Sequence, residues 1–204
     1  MLLKICGITR LTDALHAVNE GASALGFVFW RHSPRQVAPD RAAEIIAELP
    51  STVMAVGVFV NEPVDGIRAI VAQAGLTAVQ LHGDEPPEAL APFLPHAYKA
   101  LRVRGPDVLD EAARYPGEHI LLDAYVPGQP GGTGATFDWK LARELASRRP
   151  LTLAGGLTPD NVARAVTEVR PFCVDVASGV ERAPGVKDLE LVRRFIEAAR
   201  SVPE

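Results

Sequence analysis

The sequence predicts an α/β protein of the TIM-barrel class, in which residues 1–204 form a single-domain (β/α)8 barrel. Short apolar or β-branched runs recur about every 25 residues, and each is followed by an amphipathic stretch with helix-start residues. Eight such units can close a barrel, whereas an open doubly wound sheet usually has fewer strands and a GxGxxG fingerprint after the first. No such fingerprint occurs in Lys4-Ile5-Cys6-Gly7-Ile8, so the barrel is favoured.

The elements alternate regularly along the chain. The predicted strands cover residues 2–6, 24–29, 53–60, 78–82, 97–103, 119–123, 151–154 and 173–177. The predicted helices cover residues 11–20, 40–48, 64–74, 87–93, 106–114, 138–147, 159–168 and 188–200. Gly21, Gly75 and Gly117 lie where a helix must turn into the next strand.

Composition and charge exclude several classes of partner. The chain is 48% hydrophobic and 23% charged, which is enough apolar material for a buried core. A formal net charge of -4 and the lack of any basic run argue against nucleic acid. No apolar stretch approaches the roughly 20 residues that span a bilayer, and the N-terminal apolar run is too short for a signal peptide. We therefore expect a cytoplasmic protein without a membrane partner.

The two cysteines predict neither a disulfide nor a metal site. Cys6 and Cys173 are far apart in sequence, and neither has a CxxC or nearby histidine spacing. In these barrels the catalytic groups lie where strands end. Cys6 ends the first strand and is a candidate catalytic group, against the alternative of a small buried hydrophobe. Cys173 begins the eighth strand, at the opposite face, so we expect it to be inert.

Further polar residues follow the same rule. Asp123 ends the sixth strand, and the long interval before the next helix favours an acid–base role over a helix cap. Arg35 lies in the loop after the second strand and offers a fork that matches a carboxylate, although a loop arginine is often only solvated. His82 ends the fourth strand and contacts either the substrate or a neighbouring carbonyl. Asp175 shares the barrel interior with Lys4, with which we expect it to pair.

Glycine-rich segments after the last strands indicate a phosphate site. Small residues let backbone amides approach an anion closely, and the loops after strands seven and eight are the recurrent phosphate site of these barrels. The candidates are Gly132, Thr133, Gly134, Gly155, Gly156, Ser178 and Gly179. The sequence therefore predicts a phosphorylated small molecule as substrate.

Six groups of segments, in order from residue 4 to residue 188, form a specific set: Lys4-Ile5-Cys6-Gly7-Ile8-Thr9, Ser33-Pro34-Arg35-Gln36-Val37, Gln80-Leu81-His82-Gly83, Gly131-Gly132-Thr133-Gly134 with Phe137-Asp138-Trp139, Ala154-Gly155-Gly156-Leu157, and Asp175-Val176-Ala177-Ser178-Gly179-Val180-Glu181 with Pro184-Gly185-Val186-Lys187-Asp188. This set resembles the phosphoribosylanthranilate isomerases of tryptophan biosynthesis. The resemblance implies an Amadori rearrangement of N-(5'-phosphoribosyl)anthranilate with Asp123 as general acid, Cys6 as general base and Arg35 on the anthranilate carboxylate. One acid and one base suffice, so the resemblance implies no metal and no organic cofactor.

The chemistry implied by the resemblance needs unusual protonation states. Asp123 must carry a proton while Cys6 is ionised, which reverses the ordinary states of an aspartate and a thiol. We expect Lys4, as far as Asp175 does not neutralise its charge, to assist by lowering the pKa of Cys6.

Two other classes stay open at this point. A lyase such as indole-glycerol-phosphate synthase would place catalytic lysine and glutamate at strand ends, but the third strand ends near Asn61 instead. A non-catalytic phosphate-sugar binding barrel would keep the glycine loops without needing an acid and a thiol. The sequence leaves open whether the protein is a monomer or a homodimer, and whether it also accepts the related histidine-pathway aminoaldose.

Overall fold

The computed structural model describes residues 1–124 and 138–203. Within them, eight parallel strands form a closed barrel in which each strand pairs with the next and the eighth pairs with the first. The strands are β1 Leu2–Cys6, β2 Ala24–Val28, β3 Met54–Phe59, β4 Ala78–Leu81, β5 Ala97–Val103, β6 Ile120–Ala124, β7 Leu151–Leu153 and β8 Cys173–Val176. The predicted TIM barrel is confirmed.

Helices surround the barrel. In the described part of the chain they are α1 Leu11–Glu20, α2 Pro39–Ala47, α3 Val64–Ala74, α4 Val108–Arg114, α5 Trp139–Ala146, α6 Val162–Val169 and α7 Leu189–Arg200. Their apolar faces pack on the outside of the strands and form the main core, in which Phe27, Phe59 and Phe195 are almost fully buried. Residues 1–124 and 138–203 contain no helix long and apolar enough to cross a membrane.

The predicted boundaries agree with the structure except in one region. Strands 2–6 and 97–103 and helices 11–20 and 64–74 match to the residue, and the others differ by one to three residues at their ends. The helix predicted over 87–93 is wrong, because two short 3-10 turns, Pro87–Ala89 and Ala91–Phe93, replace it. Pro92 explains this difference: a proline inside an α-helix lacks the N–H of the helical ladder and clashes with the preceding turn.

The barrel interior contains a buried ion pair. Lys4 and Asp175 are register partners on β1 and β8, and Lys4 Nζ lies 2.8 Å from Asp175 Oδ2. Both residues are buried, which confirms the predicted pairing. Cys6 lies two residues further along β1, in an upper interior cluster with Val28 and Val58. The ion pair therefore lies beneath the part of the barrel that opens at the strands' C-terminal ends.

A short hairpin follows β8 and was not predicted from the sequence. A 3-10 turn over Ser178–Val180 leads into two antiparallel strands, β9 Glu181–Ala183 and β10 Val186–Lys187. Glu181 and Lys187 begin and end this hairpin and are register partners across it. The hairpin therefore brings an acidic and a basic side chain to the C-terminal end of the barrel.

Candidate active site

The C-terminal ends of the strands surround a cavity of about 370 Å³. Every predicted site residue in the described part of the chain lines this cavity: Cys6, Arg35, His82, Asp123, Gly155, Gly156, Asp175, Ser178 and Gly179. Gly132, Thr133 and Gly134 lie outside the described residues. The barrel thus gathers residues that are far apart in sequence, from strand ends, from the loops after them and, for Asp175, from within β8.

Cys6 is held at the cavity wall by close packing. Its side chain is buried on β1, and Gly26 of β2 faces it so closely that a Cβ there would lie 2.6 Å from Sγ. Burial raises the pKa of the Cys6 thiol, and the ammonium groups of Lys4 and Lys187 offset this effect only in part. Lys4 lowers the pKa of Cys6 as expected, but the desolvation of the buried thiolate outweighs this attraction, so the net shift is upward. The raised pKa favours the thiol form of Cys6 over the thiolate.

Asp123 lies at the end of β6, and its side chain is 7% exposed. The backbone N–H of Ala124 donates to its Oδ1 at 2.9 Å, and His82 Nε2 lies 3.2 Å from its Oδ2. The carboxyl group therefore faces the cavity and a second titratable side chain.

His82 belongs to a buried chain of polar side chains across the barrel interior. Gln80 Nε2 lies 2.8 Å from His82 Nδ1, and Gln80 Oε1 accepts from Lys4 Nζ at 2.9 Å. The hydroxyl of Tyr98 donates to the same Oε1 at 3.1 Å. This row of polar side chains thus leads from the ion pair of β1 and β8 through Gln80 to His82 and the carboxyl group of Asp123.

Asp175 presents an unused acceptor to the cavity. Its Oδ2 is paired with Lys4, whereas its Oδ1 is buried without a hydrogen-bond partner in the described structure. A buried carboxylate oxygen without a partner is costly. A hydroxyl group of a bound ligand would satisfy it.

Arg35 is oriented by a carboxylate from the hairpin. Its Nε donates to Glu181 Oε1 at 2.9 Å and its Nη2 donates to Glu181 Oε2 at 2.7 Å. Nη1 takes part in neither bond, so a further edge of the guanidinium is left to bind an anion. Although burial alone would raise it, the pKa of Glu181 is lowered by Arg35 and Lys187, so this carboxylate stays ionised.

Lys187 connects this pair to the thiol-bearing strand. Its buried Nζ donates to Glu181 Oε1 at 2.9 Å, to the carbonyl of Cys6 at 2.5 Å and to the carbonyl of Ala177 at 3.1 Å. The ends of β1 and β8 and the hairpin are therefore fixed to one another around a single ammonium group.

The glycine loop after β7 is fitted against Asp123. Gly155 has a φ of +84°, and a Cβ at this position would lie 2.3 Å from the backbone N of Ala124 and 2.8 Å from Asp123 Oδ1. Asn161 braces the loop by donating to the carbonyl of Gly156 at 2.8 Å. Arg35 is the one arginine or lysine among the described residues that line the cavity. A second anion would therefore depend on backbone N–H groups of the loops after β7 and β8.

A family model described as N-(5'-phosphoribosyl)anthranilate (PRA) isomerase matches residues 3–198. The chain belongs to this family. The N-(5'-phosphoribosyl)anthranilate isomerase of Trichlorobacter lovleyi is 52% identical over 199 residues, 97% of each chain. The phosphoribosyl anthranilate isomerase structure from Thermotoga maritima has a TM-score of 0.91 at 43% identity and covers 99% of this chain and 100% of that one.

Two further phosphoribosylanthranilate isomerase structures bear on ligands and assembly. One, at 42% identity and a TM-score of 0.87 with 99% and 100% coverage, contains reduced 1-(o-carboxyphenylamino)-1-deoxyribulose 5-phosphate. Another, at 42% identity, a TM-score of 0.86 and 99% and 100% coverage, describes monomers generated from the dimeric Thermotoga maritima enzyme.

Sequence reasoning assigned no role to several residues that support this isomerase-family site. Strand alternation could have revealed Gln80 and Tyr98, because both point into the barrel. Glu181 and Lys187 occur in the recognised motif, but only the hairpin shows that they hold Arg35 and Cys6. Lys99 and Glu85 are paired at 3.2 Å behind β4, and Glu85 accepts from the backbone N–H of Gly83 at 2.9 Å. That pair fixes the turn after His82, which no local pattern predicts.

Proposed function

We propose that this chain converts N-(5'-phosphoribosyl)anthranilate to 1-(2-carboxyphenylamino)-1-deoxyribulose 5-phosphate, with Asp123 as general acid and Cys6 as general base. The observation that carries this proposal is one cavity in which an arginine fork, a thiol, a carboxyl group and two small-residue loops face the same space. A substrate with a carboxylate at one end and a phosphate at the other matches this arrangement.

The order of the strands supports the binding mode. β1, which carries Cys6, lies between β2, which precedes Arg35, and β8, which precedes Ser178 and Gly179. A substrate whose carboxylate meets Arg35 and whose phosphate meets the loops after β7 and β8 therefore spans the thiol. The proposal assigns the phosphate to the backbone N–H groups of Gly155, Gly156, Ser178 and Gly179, and also to Gly132, Thr133 and Gly134.

The first chemical step is ring opening. The anthranilate nitrogen donates its lone pair to C1' while the bond from C1' to the ring oxygen breaks, and Asp123 gives that oxygen its proton. The products are a protonated Schiff base and the Asp123 carboxylate. The His82 ring beside Oδ2 supports the carboxylate as its negative charge develops.

The second step is proton removal from C2'. The Cys6 thiolate takes this proton, and the electrons of the C–H bond form the C1'–C2' double bond of an enolamine while the C=N electrons return to nitrogen. Protonation at C1' and loss of the hydroxyl proton at C2' then give the ketone. A proton passes from the Cys6 thiol back to Asp123 before the next turnover, so the overall reaction is an isomerisation without net change in the enzyme.

The catalytic pair, Cys6 and Asp123, holds one proton in total in its reactive state. A thiol at Cys6 with an ionised Asp123 holds the same number of protons as the reactive state, in which Asp123 is protonated and Cys6 ionised. These two states differ only in which side chain of the pair holds the proton. In this proposal the unpaired Oδ1 of Asp175 accepts a hydrogen bond from a ribose hydroxyl, and His82 makes a second polar contact with the substrate.

A fluorescence assay tests the function. The purified chain should consume N-(5'-phosphoribosyl)anthranilate, with loss of the anthranilate fluorescence. The related histidine-pathway aminoaldose, which lacks the anthranilate carboxylate that Arg35 would bind, should turn over far more slowly under identical conditions. Turnover of only the histidine-pathway substrate, or binding of the phosphate ester without turnover, would contradict the proposal. The cytoplasmic location and the choice between monomer and homodimer stay predictions.

A further inference from the structure

The buried hydrogen-bonded side chains Lys4, Gln80 and His82 determine which ring nitrogen of His82 carries its proton. The proposed isomerase mechanism does not itself specify this position. Each member has a fixed capacity to donate or accept: an ammonium group only donates, and a side-chain amide accepts through oxygen and donates through nitrogen. The proton on the His82 ring can therefore be located by following the donors from one end of the chain to the other.

Lys4 fixes the orientation of Gln80. Although burial alone would lower it, the pKa of Lys4 is held well above its ordinary value by Asp175, so its Nζ is a permanent donor. Lys4 Nζ lies 2.9 Å from the Gln80 side chain, and the Tyr98 hydroxyl lies 3.1 Å from the same atom. That atom must be the amide oxygen, because the reversed amide would place its NH2 group against an ammonium group.

Gln80 in turn fixes the proton of His82. With its oxygen committed to Lys4, Gln80 turns its NH2 group towards His82 Nδ1 at 2.8 Å. Two N–H groups cannot hydrogen-bond to each other, so Nδ1 must be the unprotonated ring nitrogen. The ring proton is then on Nε2, which is buried at the cavity wall 3.2 Å from Asp123 Oδ2 and has no hydrogen-bond partner in the described structure.

We propose that Gln80 is a positioning residue that holds His82 as the neutral Nε2–H tautomer, so that His82 acts only as a hydrogen-bond donor to an oxygen of the bound substrate or to Asp123. This deepens the proposed function and rests on it for the identity of the substrate. It also removes His82 from the possible general bases, because Nε2 then has no lone pair with which to take the C2' proton. The base must lie elsewhere in the cavity, where Cys6 is the nucleophilic side chain.

Nuclear magnetic resonance of the histidine nitrogens tests the proposal without substrate. The chain has 5 histidines, and loss of one set of signals in His82→Gln identifies the His82 ring. In the wild-type protein near neutral pH, the two-bond nitrogen–hydrogen correlations should show Nε2 protonated and Nδ1 unprotonated. A proton on Nδ1, or rapid exchange between the two tautomers, would overturn the proposal whatever the activity of the enzyme.

Three variants separate positioning from packing. Gln80→Glu keeps the shape but offers oxygen to His82, so Nδ1 should become protonated. Gln80→Met removes the amide, which should release the tautomer and reduce kcat/KM by about tenfold, the size of one lost hydrogen bond. Tyr98→Phe keeps the hydrogen bond from Lys4 to Gln80 and should keep the Nε2–H tautomer.

If a folded Gln80→Glu variant leaves Nδ1 unprotonated, Gln80 does not determine the tautomer of His82. Failure of the fluorescence assay with an intact tautomer pattern would refute the proposed substrate instead.

Discussion

Cys6 and Cys173 are the same residue type in the same barrel interior, yet they lie at opposite ends of neighbouring strands. Cys6 ends β1, and Cys173 begins β8 as the register partner of Leu2. Both are buried, at 8% and 4% exposure, and burial raises the pKa of both thiols, that of Cys173 to about 12. Burial and residue type therefore do not distinguish a reactive thiol from an inert one in this fold.

Their neighbours differ. Cys6 lines the cavity, and Lys4 and Lys187 both act to lower the pKa of its thiol. Cys173 lies below the ion pair of Lys4 and Asp175, where its Sγ lies 3.5 Å from the carbonyl oxygen of Val174 and interacts with the side chain of Thr152. The chemical role of a cysteine in this barrel therefore follows from its position along the strand: the C-terminal end faces the cavity and charged side chains, and the N-terminal end faces the core.

The largest expected effect is a contrast between two serine variants. Cys6→Ser should lower kcat by about 10^2 to 10^4, because serine is too weak an acid to supply an equivalent base. Cys173→Ser, the matched control, should keep kcat close to that of the wild type. Steady-state kinetics with circular dichroism of both proteins checks this. Near-normal kcat in folded Cys6→Ser would abolish the distinction between the two ends of the barrel.

A substitution of Arg35 tests whether this side chain binds the substrate carboxylate. Arg35→Lys should lower kcat/KM by about 10- to 100-fold, because a point charge replaces a fork that bonds both Glu181 and a carboxylate. The effect should largely disappear with a substrate analogue that lacks the carboxylate, and that analogue is the control. An equal loss for both compounds would mean that Arg35 maintains the hairpin and makes no contact with the substrate.

Two glycines allow backbone strain to be separated from phosphate binding. Gly156 and Gly75 have similar φ values of +64° and +71°, but Gly75 follows α3, away from the cavity. Gly156→Ala and Gly75→Ala should lose similar stability, since both force a side chain into the left-handed region. Only Gly156→Ala should raise KM, by about tenfold for one lost hydrogen bond. Equal KM values in the two variants would remove the loop after β7 from the phosphate site.

The smallest effect concerns pH. The reactive pair holds one proton, so kcat/KM should fall as pH rises through the pKa of Cys6, where the last proton is lost. Burial raises that pKa, so activity should persist above the pH at which an ordinary thiol ionises. Cys173→Ser should not move this alkaline limb. A shift in the Cys173 variant would show that the limb reports unfolding or the wrong thiol.

The fold and the residues that line the cavity were predictable because both depend on short-range patterns. Alternation and strand length gave the barrel, and the rule that catalytic groups lie at strand ends selected Cys6, His82 and Asp123. The state of those groups was not predictable in the same way. The sequence suggested that Lys4 activates Cys6, whereas the balance between desolvation and attraction depends on burial in three dimensions.

Local sequence patterns also could not predict which charged residues pair when they are far apart in the chain. Arg35 and Glu181 are separated by 146 residues, and their pairing depends on the hairpin that follows β8. The wrongly predicted helix over 87–93 is a different case, because Pro92, which prevents a continuous α-helix there, is visible in the sequence itself. Local sequence patterns therefore determine the strands and helices, whereas tertiary packing determines the ion pairs and pKa shifts of the site.

In the proposed mechanism Cys6 and Asp123 act at different steps, which a substrate deuterated at C2' tests directly. Removal of the C2' proton should become the slowest step in Cys6→Ser, so its kcat should show a full primary isotope effect. Ring opening should become the slowest step in Asp123→Asn, whose kcat should then show an isotope effect close to unity. Isotope effects of equal size in the two variants would contradict the assignment of base and acid.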